Sequence, residues 1–244
     1  MRMGALILCG VVVLLLVCAV PVAANSVKSN GDADTRDKPT MIVEYGTGKD
    51  IGLIKVTHID YAKSESRGKP PQSITCYKLA KWRWSPPVSY TIDSNDFSQR
   101  ETSALADAKA EWQTYTSKKL FNDFTTGSGI AGVRDNKNII TFGNYPQNGV
   151  IAVTYTWYNP GTRLAVESDI LFDTDFTWGT NGDASLMDVQ NIATHEMGHT
   201  LGLSDLYTDS CNAVTMYGYS TEGDIEKRSL EQPDIIGLQL LYGP

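Results

Sequence analysis

The residues best equipped for chemistry stand together in His195-Glu196-Met197-Gly198-His199. On a helix, residues four apart differ by about 40° in direction and one turn in height, so both imidazoles face one point. Zinc needs that arrangement, with nitrogen ligands converging at about 2.0–2.1 Å. Glu196, between them, is placed to take a proton from a water that the metal activates. The pattern continues through Gly202 and Asp205 as H-E-x-x-H-x-x-G-x-x-D. The glycine lets the chain turn sharply and bring Asp205 back as a third ligand. A carboxylate binds zinc at about 2.0–2.2 Å. The competing readings are two surface histidines on a helix, and Asp205 as a loop or cap residue. The chain has only 3 histidines, and 2 of them sit in this motif. The third, His58, lies in an N-terminal appendage and reads as a solvated or packed strand histidine, a bystander to the metal.

The elements that position the motif can be read from pattern. Ser185 is an N-cap candidate with Asp188 three residues on. It predicts a helix over residues 186–201, closed by Gly202 in a left-handed conformation. Residues 101–120 carry a second helical pattern, with Ala104, Leu105, Ala108 and Trp112 on one side. A last helix spans residues 232–242, with Pro233 near its start. Residues 41–45, 51–61, 88–92, 138–142, 150–158 and 168–172 read as strands. Residues 63–73 have linker composition. The main domain then covers residues 74–244. Strands, a helix, more strands and two closing helices make an α+β domain.

At 244 residues, the chain fits one large domain, or one domain with a small appendage. With 41% hydrophobic and 20% charged residues it is globular, neither disordered nor fibrous. A net charge of −7 disfavours nucleic acid and anionic membranes as partners. Arg2, the apolar run over residues 5–20 and the small residues Val22-Ala23-Ala24 read as a secretory signal peptide, residues 1–24. An uncleaved membrane anchor is the competing reading. It is opposed by the shortness of the run and by Pro21. The reading expects a secreted or cell-surface monomer, with no stable membrane insertion after cleavage. Residues 25–73 form an N-terminal extension, either a propeptide or a small β segment plus linker. Beyond the signal stand Cys76 and Cys211. An even count in an exported chain suggests one disulfide, against two buried thiols. It would close a long loop and contribute roughly 4–5 kcal/mol in the chain-entropy model.

The extended motif resembles the metzincin clan of zinc endopeptidases, with aspartate where most members have histidine. Thr215-Met216-Tyr217 matches the clan's methionine turn, which makes Met216 a floor beneath the ligands. From about Lys81 to the last residue the chain is similar to the matrixins. Residues 168–178 follow the family's G-D-I-H-F-D-x-D-E-x-W pattern, and residues 229–243 are close to its final helix. The resemblance implies a metzincin-type zincin fold: a twisted, mixed five-stranded sheet packed on helices, an active-site helix, a methionine turn and a C-terminal helix. It implies zinc-dependent hydrolysis of protein or peptide substrates. One catalytic zinc is held by His195, His199 and Asp205, with Glu196 as general base. Substrate would lie extended along residues 149–155, touching Gly149, Val150, Ile151 and Ala152. Residues 217–220, with Tyr217 and Tyr219, would wall a pocket. Leu171 and Val153 stand where matrixins keep histidines for a second, structural zinc, so none is expected. Phe176 replaces one acidic calcium ligand. Asp169, Asp173 and Asp175 could hold calcium only weakly. The family's P-R-C-G-x-P-D latency motif is missing, and Cys76 does not match its context. Pairing with Cys211 is the favoured reading. A secreted binding or adhesion protein that retains the fold without catalysis is the alternative function. It is opposed by the presence of Glu196.

Overall fold

A computed structural model describes residues 43–46, 52–60 and 75–244, all within one structural unit, Pro39–Pro244. The expected signal peptide (1–24) and linker (63–73) lie outside the described residues. In chain order the strands are β1 (Val43–Gly46), β2 (Gly52–Asp60), β3 (Thr91–Asp93), β4 (Thr125–Gly127), β5 (Ile139–Gly143), β6 (Val150–Asn159), β7 (Leu164–Asp173), β8 (Trp178–Gly179), β9 (Met187–Asp188) and β10 (Tyr219–Ser220). The helices are α1 (Gln99–Gln113), α2 (Val189–Leu201) and α3 (Gln232–Tyr242).

The five strands β4, β3, β5, β7 and β6 form the expected mixed sheet. The first four are mutually parallel, and β6 runs antiparallel to β7. The sheet then continues past β6. Strand β2 pairs antiparallel with β6, β1 pairs antiparallel with β2, and β10 pairs parallel with the end of β2. Strands β8 and β9 pair separately.

Local chemistry explains the helices. α1 opens on a capping box in which Ser98 accepts from the Glu101 amide and Glu101 accepts from the Ser98 amide. It buries Ala104, Leu105, Ala108 and Trp112, the predicted face. It ends at Gln113, seven residues before the predicted end. The Thr114-Tyr115-Thr116 stretch that follows is β-branched and aromatic, which favours helix poorly, and Val88 and Phe121 then meet in an isolated bridge. The predicted strand over residues 88–92 correspondingly shrinks to β3. α2 begins three residues later than predicted, because Asp188, not Ser185, is the N-cap and accepts from the Asn191 amide at 3.0 Å. Gly202 closes it at φ 101° as expected.

Two polar networks fix α2 against its surroundings. Behind it, the Thr200 hydroxyl lies 2.7 Å from Tyr90 Oη and 3.0 Å from Ser168 Oγ, both rooted near the sheet. At its side, the Trp112 indole N–H donates to Thr194 O at 2.8 Å, tying α1 to α2.

Val153 and Leu171 pack with Tyr145, Val150 and Tyr155 in an apolar cluster. Nearby, Asp169 accepts from the amides of Gly132 (2.9 Å) and Ile139 (3.1 Å), and Glu167 accepts from those of Asp135 and Asn136. These buried carboxylates pin the loop over residues 130–138. Burial pushes the Asp169 carboxyl up to about 7 against its two amide donors. The folded state therefore binds this proton more tightly than the unfolded chain, whose carboxylate titrates near 3.9. The stability so gained is fully present below about pH 4 and is lost as pH rises towards 7. Asp169→Asn, which cannot titrate, is expected to flatten the pH dependence of the melting midpoint across that window. An unchanged slope in differential scanning calorimetry would contradict this.

Candidate metal centre

Nearly the whole of α2 is buried, including His195, Glu196 and His199, each with no exposed surface. A helix buried on all sides this way must have its polar groups matched. His195 Nδ1 lies 2.7 Å from Thr215 O, and His199 Nδ1 lies 3.0 Å from Leu203 O. A carbonyl only accepts, so each Nδ1 carries the proton and each Nε2 keeps its lone pair.

Those two lone pairs meet Asp205. Its Oδ1 is 3.0 Å from His195 Nε2 and 3.3 Å from His199 Nε2. All three atoms are buried, yet none makes a hydrogen bond of acceptable geometry. Tetrahedral ligands at zinc–ligand distances of about 2.0–2.1 Å stand roughly 3.4 Å apart, so the spacing suits one small cation. The electrostatics agree. Burial would push Asp205 up, but the two imidazoles hold it below the ordinary carboxylate range. Burial drives His195 down to about 3, whereas at His199 the Asp205 carboxylate overcomes burial and pushes it up to about 9, the added proton on Nε2 being the one a bound cation would displace. A buried carboxylate is calling for positive charge between itself and the rings, which a divalent ion would supply.

Supporting groups hold these ligands, as metal sites require. Tyr207 Oη donates to Asp205 Oδ2 at 2.8 Å. Met216 is fully buried beneath α2, and its Sδ lies 2.4 Å from where a Cβ on Gly198 would stand. Only glycine lets the helix sit this close to the methionine turn. Asp234, at the start of α3, accepts from the amides of Thr215 (2.9 Å) and Met216 (3.2 Å) and so fixes the turn that supplies Thr215 O to His195. The disulfide Cys76–Cys211, with Cα atoms 5.4 Å apart, packs with Val214 and Tyr217 next to the turn.

Glu196 is oriented through Oε2, which hydrogen-bonds Thr154 Oγ1 of β6, while Oε1 makes no hydrogen bond. Burial pushes its carboxyl up to about 7. Thr154, Tyr207, Asp234 and Lys227 escape sequence reading: each looks like an ordinary strand, loop or surface residue, and only the fold brings it to the site.

His58 departs from expectation. It is a packed strand histidine, but no bystander. Its ring is fully buried and stands edge-on to His195, centroids 4.0 Å apart, with Nδ1 3.7 Å from Glu196 Oε1. Two groups of three side chains that could hold a metal ion occur among the described residues: His195, His199 and Asp205, and His58, His195 and Glu196. The flank of β6 expected to take substrate is also taken. Val150 and Ala152 pair with Ile59 and His58, and Tyr219 pairs with Ile59 from the opposite side.

The family model for matrixin, peptidase M10, matches residues 81–243. The chain belongs to the matrixins. This matrixin is 38% identical over 100 residues to matrilysin of Homo sapiens, which is 41% of this chain and 35% of the relative. It is 37% identical over 87 residues to the interstitial collagenase of Equus caballus, 36% of this chain and 17% of the relative. It is 23% identical over 212 residues to the hatching enzyme of Paracentrotus lividus, 82% of this chain and 33% of the relative. The chain spans about a third or less of the length of these curated relatives. Among the described residues of this matrixin, no helix is long and apolar enough to cross a membrane.

Proposed function

We propose that this matrixin is a secreted zinc-dependent endopeptidase. One observation carries the reading: three buried lone pairs, on His195, His199 and Asp205, converge without hydrogen bonds beside a buried glutamate. These three residues would hold zinc. When bound, zinc polarises the scissile carbonyl and acidifies the attacking water. The rest falls to the chain. Thr215 O and Leu203 O orient the imidazoles, and Tyr207 steadies Asp205. Glu196 takes the proton of the water and later delivers it to the leaving amine. A carboxyl titrating near neutrality suits both tasks. An extended peptide would add to β6 beside Gly149, Val150, Ile151 and Ala152, with Tyr217 and Tyr219 on the opposite wall. Secretion is supported by the signal-like residues 1–24 and by a disulfide, which needs an oxidising compartment. Calcium at the acidic turn is the weaker reading, because Asp169 and Asp173 already accept from backbone amides.

Purified chain is expected to carry one zinc per molecule and, once freed of its N-terminal segment, to cleave unfolded casein in a manner stopped by chelation and restored by zinc. Loss of a group that merely supports a ligand costs about 10–100-fold in metal affinity, so Asp205→Ala should weaken zinc binding by more than about 100-fold. Cleavage insensitive to chelation would overturn the mechanism. Unchanged zinc affinity in Asp205→Ala would remove the third ligand. Zinc-loaded chain that cleaves nothing, with or without its N-terminal segment, would favour the binding-protein reading.

A further inference from the structure

Strand β2 occupies the surfaces that the proposed function assigns to substrate. Along one side it pairs antiparallel with β6, from Gly52 opposite Tyr158 to Ile59 opposite Val150. Along the other, Ile59 and Asp60 pair with Tyr219 and Ser220 of β10. An added peptide strand would use the same backbone groups of β6 and β10, so β2 and a substrate exclude each other.

The side chains continue the blockade. The β2–β6 register shifts between His58 and Ile59, at the level of the metal centre. There the His58 ring stands beside Glu196 and His195. Lys227, itself buried, fixes it from the far side. Its Nζ donates to Tyr217 O and to Tyr219 O (2.8 Å) and lies 3.0 Å from His58 Nε2. An ammonium only donates, so Nε2 accepts and Nδ1 carries the proton that faces Glu196 Oε1. The ring fills the space in front of the general base.

We infer that residues 52–60 are a built-in pseudosubstrate, an autoinhibitory strand whose His58 stops the cleft until the segment is released. The inference rests on the peptidase reading for what is inhibited, but not for what is bound. Inhibition here needs no cysteine, since Cys76 is committed to Cys211.

The test places a cleavage site for a sequence-specific protease within residues 61–73 of the chain. Intact protein is compared with cut protein freed of its N-terminal fragment by gel filtration. The first readout is binding of a fluorescent peptide with the sequence of residues 52–60, with the metal chelated so that nothing is hydrolysed. A short tether gives an effective concentration of about 1 mM, so a peptide of Kd about 10 μM would be excluded from the intact chain about 100-fold. The second readout is casein turnover with zinc, expected to rise about 100-fold on cutting. His58→Ala in the intact chain should recover at least a tenth of that rise. Equal peptide binding before and after cutting overturns the inference, as does a cut chain that binds no peptide. Binding only after cutting, with no turnover in either form, upholds the strand and sinks the peptidase reading instead.

Discussion

Replacing Glu196 by Gln is expected to lower casein turnover by about 10²–10⁴-fold, the usual range for removing a positioned general acid–base. The comparison is with unaltered chain in the state where that chain cleaves. Zinc content should not change if zinc takes the group His195, His199 and Asp205, to which Glu196 does not belong, rather than the second group, His58, His195 and Glu196. Glutamine fills the same volume and still accepts from Thr154, so packing of α2 is preserved. What it loses is the ability to hold a proton in transit. The pairing of lost turnover with retained zinc separates a base from a ligand. A variant that loses both would make Glu196 part of the metal site. A variant that keeps turnover would remove it from the mechanism.

The second large effect concerns stability. The double variant Cys76→Ala, Cys211→Ala opens a loop spanning 135 residues. For a loop of that length the chain-entropy model gives about 5 kcal/mol of stabilisation. At roughly 2–4 °C per kcal/mol for a domain of this size, the melting midpoint should fall by about 10–20 °C. Both cysteines are buried, so alanine leaves little polar imbalance and the change reads mainly as lost cross-link. Urea unfolding of the variant, beside the parent in oxidised and reduced form, measures it. A loss below about 1 kcal/mol would show that the unfolded chain gains little freedom when the link is cut.

The convergence of His195, His199 and Asp205 is legible in the sequence because its geometry is local. His195 and His199 are related by one helical turn, and Gly202 brings Asp205 back within a few residues. The α1 face was legible for the same reason: Ala104, Leu105, Ala108 and Trp112 follow the helical period. Helix ends were less so. Ser185 and Asp188 are both competent N-caps, and the choice fell to Asp188 because β8 and β9 hold the preceding residues extended and Arg228 pairs with its carboxylate. The surroundings of His58 are not legible in the sequence, because nothing near it in the chain points to Glu196. Its role depends on β2 pairing with β6, almost a hundred residues away, and strand pairing over such distances leaves no local signature. Thr154 and Lys227 were hidden likewise.

The cover that β2 gives β6 has a consequence for colloidal behaviour. In the full chain, β6 is an interior strand with both sets of backbone groups paired. Remove the segment and ten residues, VIAVTYTWYN, become the bare rim of the sheet. All but Ala152 and Asn159 are β-branched or aromatic, and none is charged, a composition prone to recruit a second chain. The strand that keeps the cleft shut also keeps the protein from polymerising through its own edge, so release of the segment is safest where a peptide or partner is at hand to take its place.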